Sequence, residues 1–222
     1  MISNLNINNH IRITENNDWV IILLLCCAFV YVFMMVSLHR DSDIRTFLQQ
    51  EFSDSSNGFV SWTIVSLVVC LTSSALISQY IPIVPKFIAD VQPFGLQLNK
   101  FGFTFYCIVL FYLLKAILSY LFYQSVGFSR RWPLFCFTTT RFYFVLSLIL
   151  TVLCISHYYF PIDKAEALFY YFIFFAIVFT FKIFYYLFHK NHILPTEWYY
   201  KFLYICTLQF IPLTALWKVL FF

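Results

Sequence analysis

Acidic residues are missing where they would matter most. The chain of 222 residues holds only ten Asp and Glu, and none falls inside its six long apolar runs. Proton carriers and many intramembrane cation sites are built on such carboxylates, so the runs exclude those designs. Charge of either sign is scarce, at 11% of residues against about 25% in a soluble domain. No basic block of the kind that grips nucleic acid is present. Glycine is scarcer still: Gly58, Gly95, Gly102 and Gly127 all lie in loops or at helix starts, so GxxxG packing motifs are absent. The seven cysteines (26, 27, 70, 107, 136, 154, 206) show no C-x-x-C or other zinc spacing and sit in or beside apolar runs, as small packing residues do. Neither a nucleophile elbow, a P-loop, HExxH nor a carboxylate pair occurs, and this argues against an enzyme.

What the chain does have is apolar length. The runs cover about 19–38, 59–80, 101–123, 142–160, 168–188 and 202–222, each near the roughly 20 residues a helix needs to cross about 30 Å of hydrocarbon. The fold class that follows is all-α: a polytopic transmembrane bundle of six helices in one domain. No connection is long enough for a second folded unit of about 50 residues. The polar, Asn-rich first 18 residues give little reason for order. The first run lacks a basic leader and a small-x-small cleavage site, so we expect it to stay in the mature protein.

Thirty Phe and 16 Tyr dominate the runs. Phe reads first as lipid-facing filler, with an aromatic-lined pocket as the alternative. Trp19, Tyr80, Tyr123, Trp132, Tyr158, Tyr159, Trp198, Tyr199 and Tyr200 stand at run ends, where interfacial anchors belong. Ile44, Phe47, Leu48 and Phe52 recur at helical spacing and predict a short interfacial helix with Asp43 as N-cap. The connection 81–100 stays apolar despite Pro82, Pro85 and Pro93; it reads as an interfacial loop, or alternatively as a re-entrant element. Pro195-Thr196-Glu197 predicts a helix start with Thr196 as N-cap and Glu197 in the first turn.

Lys and Arg set the orientation. Arg12, Lys86, Lys100, Lys164 and Lys218 fall on one side, and Arg40, Arg45, Arg130, Arg131, Arg141, Lys182, Lys190 and Lys201 on the other. Five against eight places residues 39–58, 124–134 and 189–198 in the cytoplasm and both termini outside it.

Few residues inside the runs could carry chemistry. Ser66, Cys70, Ser74 and Ser78 make one face of the second run uniformly small, so that helix is expected at the centre of the bundle; a water-filled groove is the alternative. Lys115 is the deepest charge. It is expected to snorkel toward Arg130 and Arg131, or else to bind an anionic headgroup or substrate. Arg130, Arg131, Arg141 and Lys182 approach the same side and read as ordinary flanking charges, or as a basic collar for phosphate. Gln209, between Thr207 and Pro212, reads as interhelical glue or as filling the gap where Pro212 cannot donate to residue 208. His189 and His192 lack a third ligand, and His157 has no partner His deep in another run; no metal, haem or other cofactor is expected.

The segment from His192 to Leu213, and most specifically Tyr204-Ile205-Cys206-Thr207-Leu208-Gln209-Phe210-Ile211-Pro212, resembles the C-terminal signature of an uncharacterised family. Its members are polytopic inner-membrane proteins of Bacteroidota, classed as a domain of unknown function. The resemblance implies an inner-membrane location and no established activity. It also implies Glu where Gln209 stands; Gln keeps an acceptor and the size but cannot ionise. From these readings the first expectation is a non-enzymatic scaffold or subunit of an envelope complex, with membrane lipids and other envelope proteins as partners. The second is a transporter or lipid-handling protein using Lys115 and the basic collar; a lipid-modifying enzyme comes third.

Overall fold

The computed structural model of the chain describes residues 18–38, 44–50, 52, 57–81, 99–189, 193–195 and 197–221. Six of its helices are long and apolar enough to cross a membrane, and no strand occurs among the described residues. They are α1 (Asp18–Leu38), α3 (Gly58–Ile77), α4 (Lys100–Ser125), α5 (Trp132–Tyr159), α6 (Lys164–Leu187) and α7 (Trp198–Phe221). The short α2 (Ile44–Gln49) lies between α1 and α3. Residues 1–17, the predicted cap Asp43, most of the 81–100 connection, Lys190, His192 and Thr196 fall outside the described residues.

Local chemistry sets the helix ends. Asn99 Oδ1 accepts the Lys100 N–H at 2.7 Å to start α4, and Asp163 Oδ1 accepts that of Ala165 at 2.9 Å to start α6. Gly127, at φ 77, closes α4: its N–H reaches the Gln124 carbonyl at 3.2 Å and that of Phe128 reaches Tyr123 at 3.0 Å, a Schellman pair. Glu197, in extended conformation, occupies the cap position of α7 instead of the first turn. The larger departure from the sequence reading is α5, which begins at Trp132 rather than near Phe142. Pro133 suits its first turn. The Thr138–Thr140 stretch, read as a run boundary, is helical because Thr138 and Thr140 return their hydroxyls to the carbonyls of Leu134 and Cys136 at 3.0 and 2.8 Å.

The bundle is organised around α3, which packs against α1, α4 and α5. Its central stretch is 56% buried, against 44% for the stretch containing α5 and 17–28% for the other four. Cys70, Ser74 and Ser78 are buried, and the α5 side chains reach the α3 backbone directly: Cys154 Sγ donates to the Thr72 carbonyl at 3.4 Å and Tyr158 Oη to that of Ala75 at 2.8 Å. Small side chains on α3 permit this approach. The Ser74 and Ser78 hydroxyls return to carbonyls of their own helix. The principal core (Val20, Leu24, Met34, Val65, Val68, Phe144, Leu150) lies among α1, α3 and α5. Phe169, Tyr170, Phe172, Phe181 and Phe184 on α6 are exposed, as lipid-facing filler would be. Against this core α2 docks through Phe47, whose ring meets Phe144 at 5.2 Å.

Candidate functional site

Beneath the loop joining α4 to α5, a second aromatic cluster gathers Phe122, Tyr123, Phe135, Tyr186 and Tyr204, with Ile193 and Leu194 closing it from below the last helix. Tyr123 Oη holds that closure by donating to the Ile193 carbonyl at 3.1 Å. Next to it lies a cavity of about 40 Å³ bounded by α3, α4, α5, α6 and α7. At about 10–15 Å³ per water it has room for roughly three, or for one small polyatomic group.

Its surface is mostly apolar, with polar groups at defined points. Lys115 and Lys182 enter it, together with Tyr112, Tyr143, Tyr186, Tyr204, Thr139, Ser66 and Ser119. No Asp or Glu contributes among the described residues. The Lys115 ammonium donates to Gln209 Oε1 at 2.6 Å, and Gln209 Nε2 donates to Tyr204 Oη at 2.9 Å. Lys182 donates to Tyr143 Oη at 2.6 Å and stands 4.6 Å above that ring, while the hydroxyls of Thr139 and Tyr186 meet at 2.9 Å. An ammonium has three N–H donors, so each has donors to spare beyond the acceptor just named.

The expected snorkelling of Lys115 toward Arg130 and Arg131 does not occur. Helical Cα–Cβ bonds tilt toward the N-terminus. Lys115 and Lys182 both lie in the C-terminal parts of their helices, so their side chains are launched into the bundle rather than out to the adjacent surface. The collar does not assemble either. Arg130 is exposed, and Arg131 lies 5.5 Å over the Phe128 ring. Arg141 stacks on Phe137 at 4.0 Å and donates to the Gln50 carbonyl, fastening the end of α2. Of the five basic candidates, the fold brings only Lys115 and Lys182 to one site. Of the small stripe, Ser66 alone lines the cavity.

Gln209 reaches the site through an irregular helix. Tyr204–Phe210 is a π-helix in which the Ile211 N–H bonds to the Cys206 carbonyl, five residues back. Pro212 has no N–H, and its ring would strike the Leu208 carbonyl in a regular turn; the wider turn relieves that conflict. Residues five apart then stand in register, which sets the Gln209 amide over Tyr204. Gln209 therefore serves Lys115 and Tyr204 and does not fill the backbone gap left by Pro212.

The tyrosines escaped the sequence reading, yet a signal existed. Polar partners recur at helical spacing around each deep lysine: Tyr112, Lys115 and Ser119 on α4, Lys182 and Tyr186 on α6, Thr139 and Tyr143 on α5. Outside the spans, burial and then the Arg141 charge push the His189 imidazole below its ordinary range. Among the described residues no three His, Cys, Asp or Glu converge as metal ligands would.

The family model described as "Domain of unknown function (DUF4271)" matches residues 20–220. The chain belongs to the DUF4271 family. The match spans all six long helices and every residue of the cavity, so the membrane bundle itself is what defines membership. No curated protein and no solved structure matches the chain.

Proposed function

We propose that this multi-pass membrane protein recognises a small tetrahedral oxyanion, either free or as the phosphate of an anionic lipid, in the cavity between Lys115 and Lys182. One observation carries the reading: two buried amines converge on a largely apolar cavity whose lining, among the described residues, adds hydroxyl groups but no carboxylate. Burying a cation away from a counter-ion is costly, and an oxyanion placed between the amines would accept from both. A scaffold working only through its outer surface gives these lysines no task, whereas a transporter or lipid-handling protein does. We further propose that it performs no covalent chemistry, and that it sits in the inner membrane of a bacterium. There we place it among the Bacteroidota proteins its C-terminal segment resembles, with both termini periplasmic. Membrane lipids and other envelope proteins are its proposed partners, nucleic acid is not.

The test is direct binding to the full chain in a neutral detergent. Sodium sulfate supplies the free oxyanion, and dihexanoyl phosphatidylglycerol the lipid phosphodiester. Saturable binding of either one, lost in both Lys115→Met and Lys182→Met while the variants still melt cooperatively, supports the site. Mutual competition would place both ligands in one cavity; preference for one identifies the source. If neither ligand binds, or if binding survives both substitutions, the anion reading fails.

A further inference from the structure

Lys115 and Lys182 line one small cavity, and that shared confinement has a consequence for charge. Lys115 and Lys182 each have one strong acceptor, Gln209 Oε1 and Tyr143 Oη, both at 2.6 Å, and neither acceptor is an anion. Two ammoniums in one cavity repel, whereas one ammonium and one neutral amine do not. Everything else that faces the pair is uncharged at neutral pH. From α4 come Tyr112 and Ser119, from α5 Cys136, Thr139 and Tyr143, and from α6 Tyr186; α7 brings Tyr204 and Gln209, and α3 brings Trp62 and Ser66. Cys70 of α3 adds a thiol near Tyr112 and Tyr143. Among the described residues no Asp, Glu, His or Arg lines the cavity to balance a second positive charge.

We propose that the cavity takes up its oxyanion together with a proton, which Lys182 binds as the anion enters. Resting on the anion-site reading above, this assigns the coupling ion. In the empty site Lys115 carries the charge, because Gln209 Oε1 can only accept, and Lys182 is the neutral amine, because the Tyr143 hydroxyl can donate to its lone pair. The arriving anion accepts from both amines, and Lys182 gains a proton from solution. For a singly charged phosphodiester the site holds one positive charge before and after: the added proton and the added anion cancel. Binding is then electroneutral, a useful property inside a low-dielectric bundle, where net charge is costly. The carrier class that follows is a proton–anion cotransporter rather than a uniporter driven by membrane potential.

Sulfate and dihexanoyl phosphatidylglycerol do not titrate near neutrality, so protons exchanged on binding belong to the protein. Calorimetric titrations of the detergent-solubilised full chain in two buffers of different ionisation heat count them. We expect uptake approaching one proton per ligand on the alkaline side of the range, with affinity falling up to tenfold per pH unit there. Lys182→Arg retains a permanent cation and should bind with no proton uptake and a flat pH profile. Lys182→Met should lose binding, as in the test of the site itself. Binding with no proton exchange in the unsubstituted protein overturns the coupling and leaves the anion site standing. Proton uptake that persists in Lys182→Arg overturns the assignment to Lys182. If neither ligand binds at all, the site reading itself falls, and the coupling with it.

Discussion

Gln209→Leu isolates the contact on which the cavity is built. The side chain is 1% exposed and makes two bonds, accepting from the Lys115 ammonium at 2.6 Å and donating to Tyr204 at 2.9 Å. Leucine fills nearly the same volume, so no void contributes. Losing a hydrogen bond to a charged donor costs about 1.5–3 kcal/mol, and the phenol bond adds about 0.6 kcal/mol on the scale of intramembrane hydrogen bonds. The single substitution should therefore destabilise by roughly 2–4 kcal/mol. That exceeds the roughly 0.6–2 kcal/mol expected of simple interhelical glue. With Lys115→Met already in place, the charged donor is gone and Gln209→Leu should cost only about 1 kcal/mol. The double-mutant cycle thus predicts a coupling of about 1–3 kcal/mol between residues 94 positions apart. Equilibrium unfolding in mixed micelles, followed by Trp fluorescence, reads all four proteins. A coupling below about 0.5 kcal/mol would show that the Lys115–Gln209 bond does not hold α4 to α7, and the reasoning would fail.

Four further outcomes follow from the same geometry. Gln209→Glu sets a carboxylate against the Lys115 ammonium and supplies internally the anion the cavity lacks; it should raise the melting temperature and abolish sulfate binding, and retained binding would contradict the assigned site. Ser74→Leu forces volume into a buried contact surface on α3 and should cost about 1–3 kcal/mol, whereas Phe172→Leu on the exposed side of α6 should cost less than about 1 kcal/mol; equal tolerance in a thermal-stability assay would refute the close packing of α3. Because the folded His189 imidazole titrates below its unfolded range, the unfolded chain binds more protons, so stability is complete above about pH 6.5 and falls as pH drops through that value toward the folded pKa; His189→Ala should flatten this slope in melting curves taken between pH 5 and 8, and an unchanged slope would assign it elsewhere. Alkaline phosphatase fusions after Lys100 and Lys164 should be active and those after Arg131 and Lys190 inactive, the reverse pattern inverting the proposed orientation.

The sequence determined the solvent of this protein by itself. Runs of about 20 apolar residues can satisfy their backbone in hydrocarbon only as helices, so the all-α, multi-pass plan was legible from composition and run length. The central position of α3 was also legible, because side-chain size along one helical face limits how closely backbones approach. Local signals failed where they were ambiguous. The span read as beginning at Phe142 starts at Trp132: the hydroxyls of Thr138 and Thr140 are satisfied on the preceding turn and that of Thr139 on Tyr186, so the helix continues through them. The site was decided by tertiary structure alone. Nothing in the order of residues says that Lys115 on α4 and Lys182 on α6 share one cavity, with Gln209 on α7 bonded to Lys115 beside it, while Arg130, Arg131 and Arg141 stay away. That convergence depends on the rotation of each helix about its axis, on the inward tilt of side chains near helix C-termini, and on a π-turn set by the packing around Pro212. Hydropathy is the same for every rotation of a helix; only the packing of α4, α6 and α7 around α3 and α5 fixes which face of each turns inward.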